Sequence, residues 1–284
     1  MSHIRSAKAG ARKKPRARWP RFAVGRSLSS AGRRAYQAVR AAPWEVQVLA
    51  GVILAAVMFL TLNWVYQIIR KPAEMLFPVS GVLYKTPTET WRQYGPLFRE
   101  HATAVITPEF LAAMAQMEGS GNPVARTYWR WQLTWNPLEM YQPASSAVGM
   151  YQITNAAFRD ARRYCIHYNV VVEDGPWNDF KSCWFNSLYT RTIPSHAVEM
   201  TSATLDRGVA NTLARHRIAK ATLRQKQDLA AVIHLCGPGT GNLYARRGFA
   251  LVARQRCGDH DVAAYLARVN SMRGLFARLA AMDE

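Results

Sequence analysis

The chain has 284 residues, of which 49% are apolar and 19% charged, so it can bury a core and is not wholly disordered. Its 37 Lys and Arg against 18 Asp and Glu give a net charge of +19, which at first suggests a nucleic-acid binder. The charge is uneven, however: residues 1–45 contain twelve Lys and Arg and one acid, and so carry +11. Most of the excess therefore belongs to one segment and not to a folded basic surface.

This basic segment, residues 1–43, is predicted to be a disordered tail. Ala, Gly, Ser and Pro separate its charges, and such a sequence cannot bury enough apolar surface to offset the entropy of ordering it. Lys and Arg before an apolar span act as a topology signal and attract anionic lipid headgroups. Recruitment of nucleic acid or a cytoplasmic ATPase by the tail is the less favoured alternative, and we expect no nucleic-acid partner.

Residues 44–70 are predicted to form one transmembrane helix. The run from Val46 to Ile69 carries no charge, and as a helix it would measure about 36 Å, enough to cross ~30 Å of hydrocarbon. A cleaved signal peptide is disfavoured because the run is long and begins late in the chain. The positive-inside rule places residues 1–43 in the cytoplasm and the chain after about residue 70 outside it.

The exported part is predicted to be mainly helical. Residues 71–104 are interrupted by prolines and read as a linker with one short helix. In residues 105–284, apolar side chains recur at helical spacing, and strand-like alternation is scarce. We therefore expect a helical domain over residues 105–284, with any β-structure confined to short segments around residues 125–153.

All four cysteines follow the predicted span, in the part expected to face an oxidising compartment. Four cysteines allow three connectivities, of which the local choice joins Cys165 to Cys183 and Cys236 to Cys257. A zinc site built from two of these cysteines and nearby histidines matches no common spacing. We expect neither a metal nor a cofactor.

Glu118 is the first candidate for chemistry. It ends an apolar helical stripe, and the turn sequence Gly-Ser-Gly-Asn-Pro follows it directly. A helix C-terminus disfavours negative charge, and apolar surroundings disfavour it further, so both favour the protonated carboxyl that a general acid needs. The alternative is an ordinary solvated glutamate at a helix end.

A second segment, residues 144–153, has the sequence ASSAVGMYQI. Together with the Glu-Gly-Ser-Gly-Asn-Pro segment it resembles the lysozyme-like catalytic domain of soluble lytic transglycosylases, which is related to goose-type lysozyme. That family typically has E-S-x-x-N-P, then S-x-x-G-x-x-Q-(I/L), and often a later A-Y-N-x-G-P-G. The matching residues are Glu118, Ser120, Asn122, Pro123, Ser146, Gly149, Gln152 and Ile153. The resemblance covers roughly residues 105–250.

Residues of both the first and the later segment depart from the family pattern. Gly119 replaces the usual serine after the glutamate. The later segment, residues 233–239, keeps only its Gly-Pro-Gly end, with His234 and Leu235 in place of tyrosine and asparagine. His234 either donates a hydrogen bond towards Glu118 or packs within its helix.

The resemblance implies a lysozyme-like α fold and a cofactor-free enzyme that cleaves peptidoglycan glycan strands. Glu118 would be the catalytic acid and base, and Ser120, Ser146 and Gln152 would position the sugar and the glutamate. Gly149 would allow close backbone approach. The implied location is the inner membrane of a bacterium, with the catalytic domain in the periplasm and a secretion or conjugation apparatus as the partner. Alternatives are a muramidase on the same fold and an inactive glycan-binding scaffold.

An aromatic insertion, residues 126–142, separates the two motifs. It has the sequence RTYWRWQLTWNPLEMYQ. Trp129 and Trp131 are candidates for a wall that stacks on sugars. The alternatives are a loop that buries its own aromatic rings, or a surface that contacts a partner or the membrane.

Overall fold

The computed structural model describes residues 30–179 and 182–283, and within them the chain is mainly helical, as predicted. The helices are α1 (Ser30–Ala41), α2 (Trp44–Arg70), α3 (Phe77–Ser80), α4 (Pro87–Glu100), α5 (Pro108–Gly119), α6 (Asn155–Ala161), α7 (Pro194–Arg215), α8 (Leu223–Arg246) and α9 (Val262–Asp283). The strands are β1 (Trp129–Trp131), β2 (Tyr141–Pro143), β3 (Tyr164–His167), β4 (Val170–Glu173), β5 (Arg256–Cys257) and β6 (His260–Asp261). The chain divides into two compact units, one ending at Phe59 and one comprising Leu60–Glu284.

Part of the segment that we expected to be disordered is helical. Residues 30–41 form α1, in which Ala35, Gln37, Ala38 and Arg40 are all good helix formers. The amino-acid composition did not predict this helix, because composition indicates whether a segment can bury a core, whereas helix propensity acts locally and needs no core. Residues 1–29 of the predicted tail lie outside the described residues.

Helix α2 is long and apolar enough to cross a membrane. It has 27 residues, and its most apolar window has a mean hydropathy of 2.3 and is only 6% buried. At ~1.5 Å per residue the helix is about 40 Å long. Its charged residues lie at the two ends, Glu45 in the first turn and Arg70 in the last.

Residues 71–104 are more closely integrated than the expected linker. After two short 3₁₀ turns and α3, helix α4 begins with a capping box: the Thr86 hydroxyl accepts from the Glu89 N–H, and the Glu89 carboxylate accepts from the Thr86 N–H. Trp91 and Phe98 of α4 are buried in the core. The segment therefore forms one wall of the domain that follows it.

Helix α5 occupies the centre of that domain. Its first turn is capped by Thr107, whose hydroxyl accepts from the Phe110 N–H, and its apolar residues Phe110 to Ala115 are almost fully buried. The helix packs against α4 and α9, while α7 packs against α8. This packing fixes the position of Glu118, the penultimate residue of α5.

The expectation that β-structure would be confined to residues 125–153 is wrong. The β1–β2 hairpin lies in that range, but β3–β4 and β5–β6 lie beyond it. The β3–β4 hairpin turns at Tyr168 and Asn169, whose φ angles of 52° and 62° suit a tight two-residue turn. Three successive valines in β4 supply β-branched side chains, a signal weaker than strict alternation.

The two disulfides follow the local pairing. Cys165 of β3 is bonded to Cys183, and Cys236 of α8 is bonded to Cys257 of β5, each with a Cα–Cα distance of 5.4 Å. All four cysteines are therefore in disulfide bonds. The thiolates that a zinc site would need are not available.

Candidate active site

Glu118 lies where α5 ends in a left-handed turn. Ser120 has φ 48° and caps the helix, because its N–H bonds back to the carbonyl of Gln116. The Glu118 side chain keeps 16% of its surface exposed, although the preceding turns of α5 are buried. It is therefore held by a rigid helix while remaining open to solvent on one side.

The closest polar neighbour of Glu118 is Tyr265 of α9. The Tyr265 hydroxyl donates to Oε1 of Glu118 at 2.5 Å, and it also lies 3.7 Å from the sulfur of Met114. Burial raises the pKa of the Tyr265 phenol well above its usual value, and the charge of Glu118 raises it further. Tyr265 is therefore a permanent donor to the glutamate.

Sequence reasoning missed Tyr265. It lies on the apolar face of α9 with Val262, Leu266 and Val269, and the tyrosine ring is only 3% exposed. A buried tyrosine usually finds a partner for its hydroxyl, so its place on that face was a signal. The sequence did not reveal which group the partner would be, because α5 and α9 lie far apart along the chain.

His234 approaches Glu118 from a third helix. Its Nε2 lies 3.7 Å from Glu118 Oε1, which is close enough for an ion pair when the histidine is protonated but too long for a direct hydrogen bond. His234 stands just before a break in α8, where Gly237 adopts φ 81° and ψ 168° and Pro238 follows. The Gly-Pro-Gly sequence thus interrupts the helix beside the glutamate.

The second motif packs directly against the first. A Cβ added to Gly119 would lie 2.8 Å from the Met150 Cα and 2.9 Å from its carbonyl oxygen, so only glycine fits there. Gly149 has φ 83°, and its added Cβ would lie 2.3 Å from the carbonyl oxygen of Arg191. A serine at position 119, as in the family that the motifs resemble, would therefore clash with the backbone of Met150.

Gln152 and Ser146 stabilise the loop of the second motif, residues 144–153, through hydrogen bonds. The Gln152 amide donates to the carbonyls of Ala125 and Gly149 at 3.1 and 2.9 Å, and the Ser146 hydroxyl accepts from the Asn155 N–H at 3.1 Å. These contacts hold the backbone next to Glu118. The side-chain oxygen of Gln152 is not used in these two bonds.

Two further residues tie the motifs to the rest of the domain, and sequence reasoning gave neither of them a site role. The Arg191 guanidinium donates to the carbonyls of Ser146 and Ile153, both at 2.8 Å, and so closes the loop at its two ends. The fully buried Asn122 donates to the Ser80 carbonyl at 2.6 Å. Both are positioning residues, because they act through backbone atoms.

The aromatic insertion forms the β1–β2 hairpin. The rings of Trp129 and Trp131 lie 5.1 and 4.7 Å from that of Tyr141. The Trp129 N–H donates at 3.0 Å to Glu74, whose side chain is fully buried. Trp129 therefore faces the segment that follows α2, and the contacts of the two tryptophans do not include Glu118.

Glu74 is the centre of a charged cluster on that side. Its two oxygens lie 3.0 Å from Lys71 Nζ and 3.3 Å from Arg126 Nη1. Burial lowers the pKa of Lys71, and the charge of Glu74 opposes this shift. A pocket of about 600 Å³ lies nearby, lined by Leu60, Asn63, Trp64, Phe77, Pro78, Arg126, Tyr128, Trp129 and Tyr141. This cavity is separate from the Glu118 site.

Comparison with protein-family models, with curated proteins and with solved structures gave no match for this chain. The functional proposal therefore rests on the geometry around Glu118. A rigidly mounted, partly exposed carboxyl with a permanent donor on one oxygen and an imidazole beside it can donate and accept a proton.

Proposed function

We propose that this protein is a membrane-anchored peptidoglycan lytic transglycosylase with Glu118 as its acid and base. The observation that carries the proposal is the environment of Glu118, a carboxyl at a helix end that bonds to the Tyr265 hydroxyl at 2.5 Å. The packing of Gly119 against Met150 adds support, because it joins the two sequence motifs in one place.

In the first step, Glu118 protonates the oxygen between N-acetylmuramic acid and N-acetylglucosamine. The bond from that oxygen to the anomeric carbon breaks, and positive charge develops on the muramic acid ring. Tyr265 donates to Oε1, which leaves Oε2 free to carry the proton that is transferred. Tyr265 then stabilises the carboxylate that remains, because hydrogen bonds to an ionised acceptor are the stronger ones.

In the second step, the same carboxylate removes the proton from the C6 hydroxyl of the muramic acid. The freed oxygen attacks the anomeric carbon and closes a 1,6-anhydro ring, which returns the proton to Glu118. The nucleophile is already attached to the substrate, so the gain comes from proximity and no water is needed.

This mechanism needs one carboxylate, whereas a hydrolase would use a second one about 5 to 9.5 Å away. Among the described residues, the recorded contacts of Glu118 are with Tyr265 and His234. Glu139, the acid of the aromatic insertion, is engaged elsewhere, at 2.8 Å from Arg70. The two sequence motifs contain one acid, Glu118, and the transglycosylase mechanism needs no other.

The topology that we propose suits a wall-cutting enzyme. Helix α2 would cross the inner membrane with the basic segment in the cytoplasm, and the domain with both disulfides would face the periplasm. A domain tethered in this way reaches the glycan strands nearest the membrane. Such placement would serve a secretion or conjugation apparatus that must pass through the wall.

The proposal is tested with the purified full chain and isolated peptidoglycan. We expect the wild type to release muropeptides with 1,6-anhydro ends, and Glu118→Gln to release none. Glu109→Gln, on the first turn of the same helix, is the matched control and should retain activity. Glycan binding without any product from the wild type would instead indicate a scaffold, and reducing ends would indicate a muramidase.

A further inference from the structure

The tip of the β1–β2 hairpin exposes apolar side chains to an unusual degree. Leu133 and Trp135 are completely exposed, and Trp131 is 63% exposed. The seven residues from Trp131 to Pro137 carry no charge. Contiguous exposed apolar groups of this kind mark an interaction surface.

The second half of the loop that joins β1 to β2 is attached to the end of α2. The Leu138 carbonyl accepts from the Asn63 amide at 2.9 Å and from the Gln67 amide at 2.8 Å. Asn63 is 1% exposed and Gln67 is 3% exposed, so the two amide N–H groups that bond to Leu138 are shielded from solvent. Arg70 adds an ion pair to Glu139 at 2.8 Å.

These bonds limit how far the tip can lie from the end of the helix. Asn63 and Gln67 are one turn apart, and Asn63 directly follows the apolar residues Leu60 and Leu62. Trp135 is three residues from Leu138, so its Cα lies within about 11 Å of the point of attachment. The exposed side chains are thereby kept near the last turns of α2, which would lie at the membrane surface if α2 spans the bilayer.

We propose that the hairpin tip, Trp131 to Trp135, inserts into the interfacial region of the bilayer leaflet in which α2 ends. Tryptophan favours that region, and leucine gains by leaving water for the acyl boundary. A glycan would stack on the tryptophan rings but gains little from a fully exposed leucine. Because the tip carries no charge, it can enter the lipid surface without removing a charged group from water.

Insertion would give the domain a second point of attachment to the membrane. One helix alone leaves a domain free to tilt, whereas a helix and a docked hairpin together fix its orientation. Glu118 would then be held at a set height above the membrane. The inference rests on α2 crossing a bilayer and does not depend on the proposed activity.

The test uses the full chain in lipid nanodiscs containing phosphatidylcholine and phosphatidylglycerol. A nitroxide label is placed at Trp135→Cys, and its collision rates with oxygen, which concentrates in lipid, and with a water-soluble nickel complex are compared. Tyr168→Cys, at an equally exposed turn between β3 and β4, is the solvent control, and Ile53→Cys in the middle of α2 is the lipid control.

We expect the oxygen-to-nickel ratio at position 135 to exceed that at position 168 severalfold and to approach that at position 53. Equal ratios at positions 135 and 168 would overturn the inference while leaving the activity assay untouched. A water-like ratio at position 53 would overturn it together with the membrane topology. A change at position 135 only after peptidoglycan is added would assign the tip to glycan and also overturn it.

Discussion

The substitution Tyr265→Phe isolates the hydrogen bond on which the proposed acid depends. It removes one hydroxyl and leaves the buried ring in place, so the core packing of α9 is retained. The lost bond, 2.5 Å long, is made to a carboxylate, and such bonds contribute about 1.5–3 kcal/mol. If that stabilisation is needed when Glu118 gives up its proton, kcat should fall roughly 10- to 150-fold.

The assay is the initial rate of anhydro-muropeptide release at several concentrations of a soluble glycan strand, which separates kcat from KM. We expect KM to change little, because Tyr265 acts through Glu118 and not through the sugar. Tyr189→Phe is the matched control: its hydroxyl donates at 2.6 Å to Glu199, away from the site. A Tyr265→Phe rate within twofold of the wild type would refute the positioning role.

Three further predictions concern the stability of the domain. Glu74→Ala leaves buried cations unpaired and should lower the free energy of unfolding by about 3–5 kcal/mol, measured by urea unfolding. Gly119→Ala forces a Cβ against backbone and should cost about 1–3 kcal/mol and much of the activity, measured by unfolding and by product release. Burial lowers the pKa of His196, whose Nδ1 accepts from the Thr190 N–H, so the unfolded chain binds a proton more readily. Stability should therefore fall as the pH drops below about 6.5, and His196→Gln should flatten this dependence.

The sequence predicted features that depend on neighbours along the chain. The predicted helix over the uncharged run that ends at Ile69 is present as α2. The two disulfides are the local pairing, one of the three connectivities that four cysteines allow. Both features follow from local rules of length or spacing. The same rules placed Glu118 at a helix end.

Features that depend on tertiary contact were not predictable. Nothing near Glu118 in the sequence indicates that Tyr265 would supply its donor, since the two residues are brought together by helix packing. The aromatic insertion was equally ambiguous. Its attachment to α2 arises from the Leu138 carbonyl, a backbone group that every residue carries and that no sequence motif identifies.

The central claim, that Glu118 cleaves the glycan strand without water, is tested most directly by digesting peptidoglycan in heavy-oxygen water. We expect wild-type products to carry 1,6-anhydro ends and no heavy oxygen, and Glu118→Gln to yield no products. Incorporation of heavy oxygen at new reducing ends, or full activity of Glu118→Gln, would contradict it.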